Sequence, residues 1–567
     1  MVRSSSSLNI LTGIKQFVKK TGVLLWFLPL AFLAVFFLTP LINIFAVMFT
    51  HPGVINVRAI LQPLWFTIWQ AVISTLLTMM IGLPAAYVFS RFTFPGKLIF
   101  RLLTTLPFIL PTVVVAAGFT ALLGPRGLLN SALMQSLNLD NPPFLFMNTL
   151  GAILIAHVFY NTSVVIRVVG SALSQLDPRI EQAGQVLGAT PVKVFREITI
   201  PLLRPSIWVA ALMVFLFDFT SFGVILLLGG PKFSTLEVAI YTQTLSMLNL
   251  PMAGLLSLIQ LFCTFGVTFL YSKINGKRTI PLMPRLKGEG IRVPVHIREK
   301  IIVRFVIIFL VLLLILPLGA LAARSVTQTD IGTGTGSRFT LAYYRELFIN
   351  RQDAFFYVPP AQAALNSLIY ASVTVLISVT FGILVAYAQV RKRAVRRWLD
   401  PLIMLPLGTS AVTLGLGFLI TFNRPPLDVK SFPLLIPLAH SLVALPFVVR
   451  TVQPTLASIP GSLREAAAVL GASPWRVWRE VEAPIIGRAV IVGAIFSFTI
   501  SLGEFGATSF LARPETPTLP LAIYRFLSQP GALNYGQAMA MATLLMLMCA
   551  ISIGLLDKVQ LVGQSEI

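Results

Sequence analysis

Two acids in this chain stand where water is scarce: Asp218 and Glu504 each fall in a long apolar run that holds no other acid. An ionisable side chain inside a membrane-spanning helix costs about 2.5–3.5 kcal/mol on insertion scales, so it is kept where it faces a cavity or a partner. Two readings stand. The acids, with Ser221, line a pathway suited to a cationic solute, or each caps a neighbouring helix or pairs with an arginine. His157 and His440, with Arg167 and Arg450, recur at matching places in the two parts of the chain and invite a metal or proton-relay reading. Two histidines with no carboxylate or cysteine cluster near them in sequence make a poor metal site. A packing hydrogen bond for each is the expectation, and no metal is expected. Cys263 and Cys549 both lie in apolar segments and offer neither a disulfide framework nor a thiolate site. No G-x-x-x-x-G-K-[ST] phosphate loop occurs, so ATP hydrolysis by that route is not expected in this chain. No catalytic residue or bound cofactor is assigned. Energy for any vectorial work must come from a partner or an ion gradient.

The elements that position these residues follow from composition. The 567 residues are 56% hydrophobic and 11% charged, with a mean hydropathy of +0.86, which marks a polytopic membrane protein embedded in a lipid bilayer. The excess of 43 Lys+Arg over 20 Asp+Glu would suggest a nucleic-acid partner in a soluble chain. Here the basic residues gather in short clusters between apolar runs, so no nucleic acid is expected. A bilayer core of roughly 30 Å requires about 20 apolar residues in a helix. Twelve runs qualify, near 22–48, 64–89, 99–123, 146–171, 206–229, 252–272, 302–323, 365–390, 399–422, 432–450, 489–512 and 535–556. The first is too long for a signal peptide and lacks a small-residue cleavage site. Basic residues concentrate in the N-terminal tail and at 91–101, 273–300 and 391–397, all on one side of a twelve-span topology, so both termini are expected in the cytoplasm and the loops 124–145, 229–251 and 324–364 outside. Prolines inside spans, Pro84, Pro107, Pro111, Pro406 and Pro446, are expected to kink helices.

The chain repeats itself. A shift of 283 residues carries His157 onto His440, Arg167 onto Arg450, the run Ala183 to Pro201 onto Ala466 to Pro484, Ser221-Phe222-Gly223 onto Glu504-Phe505-Gly506, and Ala239-Ile240-Tyr241 onto Ala522-Ile523-Tyr524. The expected organisation is a first half, 1–272, a basic linker, 273–300, and a second half, 301–567. Six spans return the chain to its starting side, so the repeats are parallel and related by an axis along the membrane normal. A pathway between the halves would lie on that axis. The segments 180–205 and 464–488, between the fourth and fifth spans, each read as helix, turn, helix. In the second copy a helix-forming run ends at Gly471, Ser473-Pro474 starts a short amphipathic helix bearing Trp475 and Trp478, and Pro484 ends it before the next span. An interfacial helix resting at the headgroups is the plain alternative.

These two segments resemble the pattern E-A-A, three residues, G, about nine residues, I-x-L-P of the permease subunits of bacterial ABC importers. The resemblance implies a type I importer permease: an all-α polytopic membrane protein of about twelve transmembrane helices in two parallel six-helix repeats. It also implies coupling loops, at about 177–205 and 460–488, that dock on two copies of a separate ATPase holding ATP and Mg. By resemblance Glu465, Ala466, Ala467, Gly471 and Pro484 carry that role in one half, and Gln182, Ala183, Gly184, Gly188 and Pro201 in the other. Gln182 replaces the family's glutamate, with Glu181 beside it, and asymmetric coupling is expected.

Across nearly the whole chain the sequence is similar to the fused permeases of thiamine and ferric-iron importers. The stretches 91–130, 153–161 and 221–245 resemble the thiamine type most, and E-F-G at 504–506 with T-L-P at 518–520 is shared with the ferric type. Thiamine is therefore the preferred small-molecule solute and ferric iron the alternative. In this family an extracytoplasmic binding protein delivers the solute, and Lys232, Glu237, Arg513 and Glu515, in the loops after the fifth spans, are the candidate docking contacts. The rival class is a secondary transporter driven by an ion gradient, which also uses parallel six-helix repeats. A membrane-embedded enzyme lacks a ligand constellation here, and an uncoupled channel or scaffold leaves the paired loops unexplained.

Overall fold

The computed structural model describes residues 26–50, 56–275, 291–328, 338–349 and 359–565, apart from 392–399, 401, 407, 424–427 and 429–431. Among the described residues, 11 helices are long and apolar enough to cross a membrane. With one shorter apolar helix they are numbered α1 (Trp26–Phe49), α2 (Val57–Arg91), α3 (Thr112–Leu137), α4 (Leu150–Gln175), α5 (Pro191–Phe219), α6 (Leu250–Ile274), α7 (Ile297–Ser325), α8 (Pro360–Val390), α9 (Ala411–Thr421), α10 (Leu435–Ser458), α11 (Pro474–Gly503) and α12 (Ala532–Leu556). Much of the linker at 273–300, and the basic cluster at 392–397, lie outside the described residues.

Four expected spans are cut differently. The run 399–422 does not form one span: α9 has 11 residues, about 16 Å at 1.5 Å per residue, against a core of roughly 30 Å. It starts at a break where Ser410 Oγ accepts the Val412 and Thr413 amides at 3.1 and 3.3 Å. The equivalent run 99–123 is likewise broken at Leu110–Pro111, and α3 begins at Thr112. The fifth span of each half starts earlier and stops earlier than its hydropathy suggests. α5 ends at Phe219 and is followed by a separate short helix, Gly223–Leu228; α11 ends at Gly503, before Thr508–Leu511.

The expected stops at Pro201 and Pro484 are corrected. The helix runs straight through both, from Pro191 to Phe219 and from Pro474 to Gly503. Each proline is preceded by one widened turn, Phe195–Thr199 or Trp478–Glu482, in which the Ile200 amide reaches Phe195 O and the Ala483 amide reaches Trp478 O. A proline has no N–H to give and its ring crowds the preceding turn. A π-type turn makes room without ending the helix.

Each half builds its core from three helices. Ala86 of α2, Val164, Val165 and Val169 of α4 and Ala210 and Val214 of α5 form one cluster; Ala386 and Tyr387 of α8, Val448, Val452 and Leu456 of α10 and Ile486 of α11 form its counterpart. Gly82 and Gly382 let these helices approach. A Cβ on Gly82 would sit 2.6 Å from Val165 Cβ, and one on Gly382 2.5 Å from Val448 Cγ1.

The compact units do not follow the sequence halves. One comprises Met1–Thr50, Phe355–Leu519 and Met548–Ile567, and the other His51–Ala354 and Pro520–Leu547. The expected boundary at 273–300 is therefore crossed, because the first helix of each half packs with the other half's bundle. α1 lies on α9, with Gly417 against Pro40 and Asn43 Nδ2 donating to Thr421 Oγ1 at 3.0 Å. α7 lies on α3, with Gly118 against the Pro317 carbonyl and Arg324 Nη2 donating to Ser131 Oγ at 2.5 Å. Glycine facing proline recurs in both places, since a side chain at either glycine would hold the incoming helix away.

Overpacking of this kind costs about 1–3 kcal/mol. Gly82→Leu and Gly382→Leu are each expected to lower the unfolding temperature in detergent. Gly266→Ala and Gly554→Ala, whose added Cβ would meet nothing within 4 Å, are expected to leave it unchanged.

Candidate functional site

The two segments between the fourth and fifth spans fold as matching helical hairpins. In the first, Asp177 Oδ1 caps Pro178–Val186 through the Arg179 amide at 2.9 Å, and Thr190 Oγ1 caps the following helix through the Lys193 amide at 3.4 Å. In the second, Gly461–Val469 is followed by Ser473 capping the Arg476 amide at 3.4 Å. The turns are alike: Gly188 (φ 85°) and Gly471 (φ 81°) occupy the left-handed region that favours glycine. The Ala189 amide closes on Gly184 O at 3.1 Å and the Ala472 amide on Ala467 O at 3.0 Å, the C-terminal closure a glycine stop permits. Gly184 is buried, and a Cβ there would meet Ile198 Cδ1 at 2.8 Å, so the first hairpin is the tighter one.

Sequence reading placed Gln182, Ala183, Gly184, Gly188, Glu465, Ala466, Ala467 and Gly471 on these hairpins, and the structure brings each set together. Gln182 and Glu465 are both exposed. At each tip an apolar lip faces out: Val186, Leu187, Val469 and Leu470 are 87%, 88%, 86% and 87% exposed. Behind it Trp475 stacks on Trp478 at 4.7 Å.

Glu181 does not stand in for the missing glutamate. It turns inward, accepting from Arg91 Nη2 at 2.5 Å and from Thr199 Oγ1 at 2.8 Å. In the second hairpin the tie is inverted. Glu482, at the repeat position of Thr199, accepts from Arg464 Nε at 2.5 Å and from the Tyr387 hydroxyl at 2.7 Å, and Arg464 occupies the repeat position of Glu181. Each hairpin is thus tied to the end of the second helix of its half, α2 or α8, by one carboxylate. That carboxylate sits on the first leg in one hairpin and on the second leg in the other.

The acids in the apolar runs behave likewise. Asp218 is 1% and Glu504 8% exposed. Asp218 Oδ1 accepts from Asn161 Nδ2 at 2.6 Å and lies 3.4 Å from His157 Nδ1, while Ser221 Oγ sits 2.9 Å from His157 Nε2. In the other half Ser501 Oγ sits 2.8 Å from His440 Nδ1, and Glu504 Oε2 lies 3.2 Å from His440 Nε2. Position for position, acid and hydroxyl have changed places around the same imidazole. Glu504 also caps the Thr508–Leu511 helix through the Ala507 and Thr508 amides at 2.9 and 3.0 Å. Both histidines therefore have a carboxylate neighbour, contrary to the sequence expectation. It was hidden because the partners lie some 60 residues away and the acid shifts by three positions between copies. The packing hydrogen bonds expected for the histidines are present; Glu504 lies against His440, and Asp218 is held by Asn161 with His157 beside it, rather than by an arginine. In this conformation both carboxyls face partners inside their own bundles. No group of three or more metal-ligating side chains occurs among the described residues.

Of the outer-loop residues, Lys232 and Glu515 are exposed and Arg513 is half-buried; Arg513 and Glu515 line an open cleft with Phe432, Ile436 and Leu511. Glu237 is corrected as a docking contact. It is fully buried, because Leu236–Tyr241 turns back as a helix, and its Oε1 accepts from Gln260 Nε2 of α6 at 2.6 Å.

The exchange around the imidazole yields a prediction. Asp218→Ser or Ser221→Glu alone, leaving no acid or two, is expected to cost about 1–3 kcal/mol. Asp218→Ser with Ser221→Glu, which recreates the second half's arrangement, is expected to recover most of that loss in detergent unfolding. Two singles and a double of equal stability would show that the histidine does not hold the acid.

Comparisons with known proteins fit this geometry. The sequence profile described as "Binding-protein-dependent transport system inner membrane component" matches twice, at residues 78–275 and 378–560. The thiamine transport system permease protein ThiP of Escherichia coli is 27% identical over 507 residues, covering 87% of this chain and 88% of its own length. FbpB 1 of Haemophilus influenzae, named as a ferric transport system permease protein, is 25% identical and covers 81% of this chain and 71% of its own. The ABC transporter permease y4fN of Sinorhizobium fredii is 28% identical, covering 82% of each. With two equivalent bundles, two equivalent hairpins and two family matches over most of its length, the chain belongs to the inner membrane components of binding-protein-dependent transport systems and is the permease of an ABC importer.

Proposed function

We propose that this single chain supplies both transmembrane halves of an importer for thiamine or a close chemical relative. In this reading two ATPase copies, which hold ATP and Mg, engage the two hairpins. An extracytoplasmic binding protein delivers the solute to the opposite face, where Lys232, Arg513 and Glu515 remain candidate contacts. Both termini and the hairpins lie on the cytoplasmic side with the basic clusters.

The observation that carries the reading is the pair of apolar lips, Val186-Leu187 and Val469-Leu470, each almost fully exposed at the tip of a rigid, capped hairpin. Apolar residues held out on a firm hairpin call for a partner groove, and burying four such side chains there is worth about 1.5–3 kcal/mol each before the costs of association. A hairpin tied by an inward-turned carboxylate to the end of α2 or α8 passes a push on its tip into the bundle. Closure of an ATPase dimer would in this way open the bundle outward and return it inward after hydrolysis. The absence of a phosphate loop in the sequence agrees with this division of labour.

Thiamine is preferred over ferric iron because the thiamine permease is matched over 88% of its length and the ferric one over 71%. Solute-stimulated ATP hydrolysis in nanodiscs, by the complex with its own binding protein, decides between them. Stimulation by thiamine alone is expected; stimulation by ferric iron alone would keep the importer and replace its solute. Coupling is expected to be asymmetric, with Glu465→Ala reducing stimulated hydrolysis more than Gln182→Ala. Equal losses would remove the asymmetry.

A further inference from the structure

The basic linker reaches α7 by way of the end of α2. Its last residues are described from 291 on, and Arg292 is fastened there on both sides of its backbone. Its amide donates to Arg91 O at 3.0 Å and its carbonyl accepts the Thr93 amide at 2.9 Å, a short parallel bridge to Phe92. Arg91 is the last residue of α2, and the final carbonyls of a helix have no partner within it. The linker thus serves as part of the end cap of α2. The side chain repeats the tie. The Arg292 guanidinium lies 5.2 Å from the Phe92 ring centroid, and its Nη2 pairs at 2.6 Å with Oε1 of Glu299, in the first turn of α7. Glu299 Oε2 accepts the Val295 amide at 3.1 Å, so the carboxylate stands at a helix N-terminus, where the dipole favours it.

The residues beneath Arg292 are those from which the first hairpin hangs. Arg91 holds Glu181 of the first leg, and Glu181 accepts from Thr199 of the second. Phe92 is buried and meets Tyr87 edge to face at 5.9 Å; Tyr87 meets Phe195 in the same way at 5.6 Å. Phe195 opens the widened turn ahead of Pro201. Each leg is therefore joined to Arg292 by a short chain of contacts, one ionic and one aromatic. On its other side α7 carries Pro317 against Gly118 of α3. All of these residues belong to one compact unit.

We propose that Arg292 is a positioning residue for coupling: it straps the start of α7 to the foot of the first hairpin, so that a push on the tip moves α2 and α7 together. This rests on the importer reading. Without the strap the chain beyond Arg91 is an open helix end, and motion of Glu181 goes into turning that end about Phe92 rather than into shifting α7. The Arg292 side chain is 56% exposed, so its ion pair and its cation–π contact are each weak. What they hold is the angle of a joint whose backbone bonds are already made. A lysine keeps a cation within reach of Phe92 and Glu299, whereas alanine keeps none.

The test compares Arg292→Ala, Arg292→Lys and Arg298→Ala, the last removing a charge from a nearby exposed position, in the full chain in nanodiscs. Hydrogen exchange is read on the permease by itself, and thiamine-stimulated ATP hydrolysis on its complex with the ATPase and binding protein. Arg292→Ala is expected to speed exchange of the hairpin amides at 178–199 about three-fold or more and to lower stimulated hydrolysis about three-fold. Arg292→Lys is expected to recover most of both, and Arg298→Ala to match the wild-type protein. A tether that merely joins the halves would loosen residues 91–95 and leave the hairpin as it was. Unchanged exchange at 178–199 in Arg292→Ala, unchanged stimulation, or losses as large in Arg298→Ala would overturn the proposal. Absence of stimulation in the wild-type complex would count against the thiamine importer reading, while the exchange measurement, made without partners, still decides on the strap.

Discussion

Inside an apolar phase every polar atom has to find its partner within the chain, and this requirement shapes the molecule most where its helices break. α5 and α11 stop at Phe219 and Gly503, short of where hydropathy would end them, and the chain turns into a second short helix. A break frees backbone amides and carbonyls that water cannot satisfy. Glu504 answers for two of those amides, and a histidine from the preceding span fixes the acid and hydroxyl on either side of the break. The short helices that follow are tied as well, the Leu236 amide to Thr67 Oγ1 and the Leu519 amide to Ser367 Oγ.

The duplication shows what such a constraint specifies. Twice a polar cluster is kept while its carboxylate moves: from Asp218 to Glu504 around the histidine, and from Glu181 to Glu482 at the foot of the hairpin. Leaving one polar partner unpaired in a low-dielectric interior costs about 1–3 kcal/mol, and more for a charge, whereas exchanging which partner bears the charge costs little once both remain paired. The repeat therefore retains contacts rather than identities. The two halves come to differ in charge placement and agree in local shape.

The hairpins depend on the same economy of partners. Their tips are apolar and bare, yet caps at Asp177, Thr190 and Ser473, a left-handed glycine in each turn and an inward carboxylate hold the legs in place. Continuity from hairpin to membrane helix is preserved at Pro201 and Pro484 by a single widened turn. A push at the tip thus enters the bundle along one uninterrupted helix.

Much of this was legible in the sequence. Hydropathy located eleven long apolar helices where twelve were expected, since about 20 apolar residues crossing a bilayer leave few alternatives. The internal repeat gave the parallel halves. Glycine and Ser-Pro or Thr-Pro spacing gave the hairpins, because their stops and caps are local. What the sequence could not carry was every relation set by distance in space. Each histidine finds its acid some 60 residues away, and Glu237 turns from an outer loop back to Gln260. The first helix of each half crosses to the other bundle, where Gly118 and Gly417 admit Pro317 and Pro40. Local chemistry fixed the elements, whereas packing in three dimensions decided their partners, because satisfying a buried polar atom depends on which neighbour arrives and not on which residue is near in the chain.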